Sequence, residues 1–199
     1  MDYQINIENF WKNRAEKRMK EYLETAELPY RKIIIEYLKS FGEIESILEI
    51  GCGVGTNLLN IKEKYPEIKL AGIDINAQAI NQAKELLPQA ELKIGKANKL
   101  PFPDKSFDVI LTCAVLIYID IKTIRKTVEE ILRIAKKGIL MIELDGKSRL
   151  GEIEIDYWYR NYVKLFKDYK IKVEKIKLNQ LWNSPPWNTK GHIYIAHLR

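Results

Sequence analysis

The stretch Ile47–Leu59, ILEIGCGVGTNLL, decides how the rest of the chain is read. Three apolar residues and Glu49 lead into a run with glycine at 51, 53 and 55. SILEI reads as a strand and NLLNIKEKY as a helix, so the glycines sit on a strand-to-helix turn. Glycine there allows positive φ and lets the backbone approach a ligand closely. The spacing is G-x-G-x-G, and the sixth position of a dinucleotide G-x-G-x-x-G fingerprint is Thr56.

Glu49 stands two residues before the first glycine, at the mouth of this turn. A carboxylate there would repel a pyrophosphate laid on the helix N-terminus, which argues against an NAD(P)-linked oxidoreductase. It suits a ligand carrying an ammonium and a sulfonium. Asp74 ends the next strand, KLAGID, where an acid can accept both hydroxyls of a ribose. Together the two acids favour a positively charged adenosyl ligand over one with phosphates. The plain alternative is that Glu49 is a surface residue at a strand end.

Outward from this turn the pattern repeats. AQAINQAKELL reads as a helix stopped by Pro88, AELKIG and FDVILTCAV as strands, TIRKTVEEILRIAKK as a helix and GILMIEL as a strand. Such alternation argues for a parallel, doubly wound α/β sheet with ligands at the carboxyl ends of its strands. Before it, Ile5 to Phe41 reads as two helices parted at Pro29. After Gly151 come a helix (Glu154 to Lys167), a strand IKVEKI, a loop LNQLWNSPPWNTKG and an alternating strand HIYIAHL. One domain is expected over 1–199: a helical cap (1–45), a cofactor-binding core (46–145) and a C-terminal part of helix, strands and lid loop (146–199).

The chain has 199 residues, 46% hydrophobic and 30% charged, a globular balance. No apolar run approaches the roughly 20 residues of a membrane span, and MDYQINIENFWKNR has no apolar signal core. A cytoplasmic protein without membrane attachment is therefore expected. Two cysteines, Cys52 and Cys113, make no disulfide framework, and no spacing suggests a metal site. The net charge of +6 invites a nucleic-acid reading. Acidic residues interrupt both basic runs, Lys12–Lys20 and Lys164–Lys177, so solvated helix faces are favoured over a nucleic-acid groove.

The stretch from Ile47 to Asp145 resembles the class I S-adenosylmethionine-dependent methyltransferases, of the type 11-like kind. LEIGCGVG is similar to the family's first motif and GIDIN to its second. GKANKLPFPDKSFDVILTCAVLIYI is similar to the stretch running G-D-A-x-x-L-P-F to S-F-D-V-V and V-L-x-H. The resemblance implies a Rossmann-like, mostly parallel seven-stranded sheet with an antiparallel last strand, and S-adenosylmethionine as cofactor. It implies that Gly51 and Gly53 frame the methionine moiety and that Asp74 is the ribose ligand; Glu49, Cys52, Gly55 and Ile75 are expected to bind the cofactor beside them. It places Ala97 and Asn98 beside the adenine and Thr112, Cys113 and Val115 on the floor beneath. Trp11 and Arg14, with Tyr30, come from the cap that in this family closes over the site. Two positions depart from the pattern: Lys96 replaces the usual adenine-binding acid and lacks an acceptor, and Tyr118 stands where histidine is common. ENFWKNR, VLIYI and the proline-bearing loop before the last strand give a weaker likeness to methylases associated with pseudaminic acid biosynthesis.

Methyl transfer from a sulfonium is an in-line displacement in which the protein aligns donor and acceptor. A base helps only when the nucleophile loses a proton. Tyr118, Asp120, Glu143 and Asp145 stand at strand ends, and Tyr118 and Asp145 are the expected catalytic pair. His192 and His197 read as structural, and Cys113 as a packing residue. NSPPW (Asn183–Trp187) imitates an amino-methyltransferase motif but lies too late in the chain. A rigid connection, or a lid carrying Trp182 and Trp187, is expected there. The expected function is methyl transfer to a small molecule, with RNA or protein acceptors and a non-catalytic cofactor-binding subunit as alternatives.

Overall fold

The structure is a computed structural model describing residues 7–12, 29–146, 149–151, 156–179 and 185–198. In chain order the elements are α1 (Ile7–Lys12), α2 (Pro29–Leu38), β1 (Ser46–Ile50), α3 (Thr56–Lys64), β2 (Lys69–Asp74) and α4 (Ala77–Leu86). Then come β3 (Glu91–Ile94), β4 (Phe107–Cys113), α5 (Ile124–Ile134), β5 (Ala135–Leu144), β6 (Arg149–Gly151) and β7 (Asp156–Trp158). The chain continues through α6 (Tyr162–Lys167), β8 (Glu174–Lys177), α7 (Pro185–Lys190) and β9 (Gly191–His197).

Seven strands form one sheet in the order β3-β2-β1-β4-β5-β9-β8. β1, β2, β3, β4 and β5 pair in parallel, whereas β9 runs antiparallel to both of its neighbours. The Rossmann-like sheet with an antiparallel last strand is therefore present. From β1 the chain winds outward through β2 and β3, then returns to the other side of β1 as β4. The carboxyl ends of β1 and β4 thus flank the topological switch point, where open α/β sheets bind ligands.

Strand side chains alternate between faces, and two apolar clusters lie one on each side of the sheet. Ile47, Val109 and Ile142 pack with Ile34 and Leu38 of α2, Leu58 and Ile61 of α3, and Ile80 of α4. Leu48, Ile50, Ile110 and Met141 pack with Val128 and Ile131 of α5 and Tyr162 and Phe166 of α6. Burial of both faces explains why the parallel strands read as near-continuous apolar runs. Glu49 shares its face with Ile47, and so lies under α2 and α3.

The C-terminal third differs from the sequence expectation. The helix expected over 154–167 is shorter among the described residues: β7 pairs with β6, Leu150 opposite Tyr157, and of 156–167 only Tyr162–Lys167 is helical. Asn161 ends the preceding segment by capping α6, its side chain accepting from the Lys164 amide. The loop expected around the double proline contains α7, which starts at Pro185. Proline suits a first helical turn, where its missing N–H removes no hydrogen bond. Pro29 likewise opens α2. Of the helix expected before Pro29, residues 7–12 are helical as α1, and the stretch 13–28 falls outside the described residues.

Candidate functional site

The turn after β1 is fixed from two sides. The amides of Gly51 and Cys52 donate to the Ile73 carbonyl at 2.7 and 3.1 Å, and Gly53 N–H donates to Asp74 Oδ2 at 2.9 Å. Gly51 has φ 70° and Gly53 φ 54°, a region that strains other residues. Their surroundings differ. A Cβ built on Gly51 would lie 2.2 Å from Val115 Cγ2, whereas one on Gly53 would meet nothing within 4 Å. The first glycine admits the loop after β4, and the second fronts open space.

Glu49 is 1% exposed. Its Oε1 accepts from Asn57 Nδ2 of α3 at 2.6 Å, and Asn57 Oδ1 accepts in turn from Arg31 Nη1 of α2. Among the described residues no donor reaches Oε2, although it is buried. Burial pushes this carboxyl up to about 8, opposed by the Asn57 hydrogen bond and the Arg31 charge. A buried acceptor without a partner is costly to leave in a protein interior. Oε2 thus keeps an unused acceptor among the described residues.

Asp74 is half-buried at the end of β2. Its Oδ2 takes the Gly53 amide and its Oδ1 the Asn76 amide, each at 2.9 Å. Desolvation raises its pKa despite these bonds. Each carboxylate oxygen retains a further lone pair, so Asp74 can hold the turn and still accept from a ligand hydroxyl. Asn76 caps α4, accepting from the amides of Gln78 and Ala79, and donates through Nδ2 to the Trp11 carbonyl at 2.6 Å. That bond seats α1 at the carboxyl end of β2.

The loop after β4 is held by charged groups on both sides. Glu143 of β5, fully buried, takes the Thr112 hydroxyl at 2.9 Å on Oε1, together with the amides of Val115 and Leu116. Its Oε2 takes the Ile117 amide at 3.3 Å. Burial nevertheless pushes its pKa up to about 7. From β7's far end, Arg160 donates to the carbonyls of Leu116, at 2.5 Å, and Ile119. Ala114, at φ 56°, turns the chain sharply here. The short 3-10 helix Leu116–Tyr118 that follows sets the Tyr118 ring edge-on to Trp11, centroids 4.9 Å apart.

Gly51, Cys52, Gly53, Gly55, Asp74 and Ile75 therefore share one lip of the switch point, with Thr112, Cys113 and Val115 across from them. Thr112 is buried under Glu143, and burial pushes the thiols of Cys52 and Cys113 up. Ala97 and Asn98 follow β3 and are half-buried, beside an exposed Lys96. Arg14, like Trp182, lies outside the described residues. Trp187, by contrast, is buried in α7 against the core, so it is not part of an open lid.

Asp145 does not stand free as a base. Its Oδ2 meets Lys175 Nζ at 2.6 Å and its Oδ1 takes the Tyr194 hydroxyl at 2.8 Å, ties that join β5 to β8 and β9. This geometry argues against the expected catalytic role. Asp120 is likewise occupied, by the Thr123 hydroxyl at 2.7 Å and by loop amides. His192 Nδ1 lies 2.8 Å from the Lys190 carbonyl and His197 packs on Phe41. Sequence reasoning missed Arg31, Asn57, Asn76 and Arg160, and passed over Glu143. Glu143 left a local signal, an acid inside the apolar run GILMIEL, and so did Asn76, a capping residue type directly before AQAINQAKELL.

Among the described residues no helix is long and apolar enough to cross a membrane, and no cluster of three or more His, Cys, Asp or Glu is placed to hold a metal. Residues 47–138 match the family described as "Methyltransferase domain". Ajmaline N-methyltransferase of Rauvolfia serpentina is 30% identical over 110 residues, 52% of this chain and 37% of that protein. A U6 snRNA (guanine-N(2))-methyltransferase of Mus musculus is 29% identical over 145 residues, 66% of this chain and 27% of that protein. Among solved structures, an S-adenosylmethionine-dependent methyltransferase from Methanosarcina mazei superposes with a TM-score of 0.63 at 25% identity, covering 83% of this chain and 96% of that one. The chain spans less than half the length of these two sequence relatives.

Proposed function

We propose that this chain, whose residues 47–138 match the family described as "Methyltransferase domain", is a class I S-adenosylmethionine-dependent methyltransferase that transfers the donor's methyl group to a small-molecule acceptor. The carrying observation is that Glu49 Oε2, buried near the end of β1, has no hydrogen-bond partner among the described residues, while a Cβ on Gly53 in the turn that follows would meet none of them within 4 Å. An acceptor of that kind, next to bare backbone, fits the ammonium of the methionine end and disfavours a pyrophosphate.

When bound, S-adenosylmethionine supplies an electrophilic methyl group on a sulfonium, displaced in line by the acceptor. The residues of the chain bind and orient. Glu49 takes the ammonium on Oε2, and the remaining lone pairs of Asp74 take the ribose hydroxyls. Ala97 and Asn98 line the base, with Asn98 supplying an acceptor that Lys96 lacks. Cys113 and Val115 floor the site. Glu143 and Arg160 hold that floor rigid, so its shape is set before a ligand arrives. Trp11 and Tyr118 line the acceptor's approach, and the Tyr118 hydroxyl is our candidate to accept a hydrogen bond from an acceptor group that carries a proton. The paired aromatic rings and the similarity to the ajmaline N-methyltransferase support a small, partly apolar acceptor.

An RNA acceptor is the second reading, favoured by the longer match to the U6 snRNA enzyme. Methyl-labelled S-adenosylmethionine incubated with metabolite fractions and, separately, with total RNA distinguishes the two. Protein-dependent label in the metabolite fraction is expected. Label confined to RNA, with binding that collapses as salt rises, overturns the small-molecule reading. Calorimetry showing heat with NAD and none with S-adenosylhomocysteine overturns the methyltransferase reading itself.

A further inference from the structure

Arg31 is a cation only 4% exposed, far in sequence from the glycine turn yet at its floor. It sits on α2, the helix that joins the cap segment to the core. A buried guanidinium needs partners; Arg31 lies over the Tyr30 ring, 5.0 Å from its centroid, and donates to Asn57 by a side-chain hydrogen bond spanning 26 positions. Asn57 is 7% exposed and has its own amide turned to Glu49 Oε1, at 2.6 Å. The chain of donors therefore runs one way: Arg31 to Asn57, Asn57 to Glu49. Arg31 can only donate, so the Asn57 oxygen must face it and the Asn57 NH2 must face the carboxylate. The amide orientation, and with it the choice of which Glu49 oxygen is tied, is dictated from α2.

We propose that Arg31, acting through Asn57, is a positioning residue for Glu49: it fastens Oε1 and holds the carboxylate with Oε2 open toward the cationic end of the donor. The proposal rests on the donor-binding reading above and adds to it a control exerted by the cap-side helix. It also gives Arg31 a second effect. Its positive charge and the hydrogen bond it orients both favour the ionised carboxylate against burial, the form that a cationic ligand requires. Every charged or titratable group facing Glu49 takes part in this balance. Arg31 on α2 and Asn57 on α3 promote ionisation, while Asp74 on β2 opposes it. The thiols of Cys52 on the turn and Cys113 on β4 also lie within reach of its charge, both pushed to high pKa by burial. Loss of Arg31 thus leaves a carboxyl that is harder to ionise and free to rotate.

The test separates positioning from mere support of the fold. Glu49 carboxyl carbon is titrated by 13C NMR in the ligand-free protein, for the wild type and for Arg31→Met, Arg31→Lys and Asn57→Leu. Binding of S-adenosylhomocysteine is measured alongside that of 5′-methylthioadenosine, which lacks the amino-acid end. In Arg31→Met and Asn57→Leu the Glu49 midpoint is expected to move up by about one unit. S-adenosylhomocysteine affinity at neutral pH falls about tenfold with it, since one unit changes the ionised fraction about tenfold. Methylthioadenosine affinity stays within about twofold, and Arg31→Lys, which keeps the charge, recovers part of the loss. A Glu49 midpoint that does not move in either variant overturns the proposal. Equal losses for both ligands overturn it too, because they mark general damage to the site. Should the wild type bind neither ligand, the donor reading falls by itself, and the NMR midpoints still decide whether Arg31 governs Glu49.

Discussion

Replacing Gly51 by alanine tests how the glycine turn and the loop after β4 are fitted together. Two costs add. At φ 70° a non-glycine residue loses roughly 1–2 kcal/mol. The new Cβ would also stand 2.2 Å from Val115 Cγ2 and 2.8 Å from Cγ1. Overpacking of this kind costs roughly 1–3 kcal/mol, because Glu143 and Arg160 leave the loop little room to retreat. The expected loss for Gly51→Ala is therefore roughly 2–5 kcal/mol, a large share of the ~5–15 kcal/mol that holds a typical domain together. Gly53→Ala provides the contrast. Its φ of 54° carries the same backbone cost, but its Cβ enters open space, so about 1–2 kcal/mol is expected. The double variant Gly51→Ala, Val115→Ala removes both clashing methyls and should recover at least about 1 kcal/mol relative to the sum of its single variants. Urea unfolding at constant pH measures the wild type and all four variants, Val115→Ala among them. If the Gly51→Ala and Val115→Ala effects add within about 0.5 kcal/mol, or if Gly51→Ala and Gly53→Ala cost the same, the fit described between the two loops is wrong.

Three further outcomes are expected. Stability should fall as pH rises from about 4.5 to about 8: Glu143 is raised from 4.5 to about 7 and Glu49 to about 8, so in that window the native state keeps protons the unfolded chain has released. Asp120 and Glu130, held below the ordinary carboxylate range, act only at more acid pH; urea midpoints that rise between pH 5 and pH 8 would contradict this account. Asn76→Ala removes the α4 cap and should lower stability by about 1 kcal/mol, with a change in tryptophan fluorescence as the Trp11 carbonyl loses its donor; an unchanged spectrum would show that α1 is seated by other contacts. Arg160→Met leaves the Leu116 and Ile119 carbonyls without their charged donor, and roughly 1.5–3 kcal/mol of stability should go with it, together with S-adenosylhomocysteine affinity; full retention of affinity would mean that Glu143 alone holds the loop.

The strand and turn pattern was legible because it is local. SILEI and KLAGID correspond residue for residue to β1 and β2, since buried parallel strands announce themselves as short apolar runs between helical periods. Glu49 and Asp74 stood out for the same reason: each is an acid at the end of such a run. The C-terminal third was harder. The hairpin of β6 with β7 and the short helix α7 contain too few residues for periodicity to speak. Proline, read as a loop residue, serves equally well at a helix start.

Chemistry at the chain's glycine turn was thus written in consecutive residues, because backbone conformation and strand-end position depend on near neighbours. The partners of those residues were not. Arg31 meets Asn57 across 26 positions, Arg160 meets Leu116 across 44, and Tyr194 meets Asp145 across 49. Such contacts follow from which strands lie side by side and in what register, which no local pattern encodes. Tertiary packing alone therefore decided that Asp145 meets Lys175 and Tyr194, that Glu143 takes the amides of the loop after β4, and that one oxygen of Glu49 has no donor among the described residues.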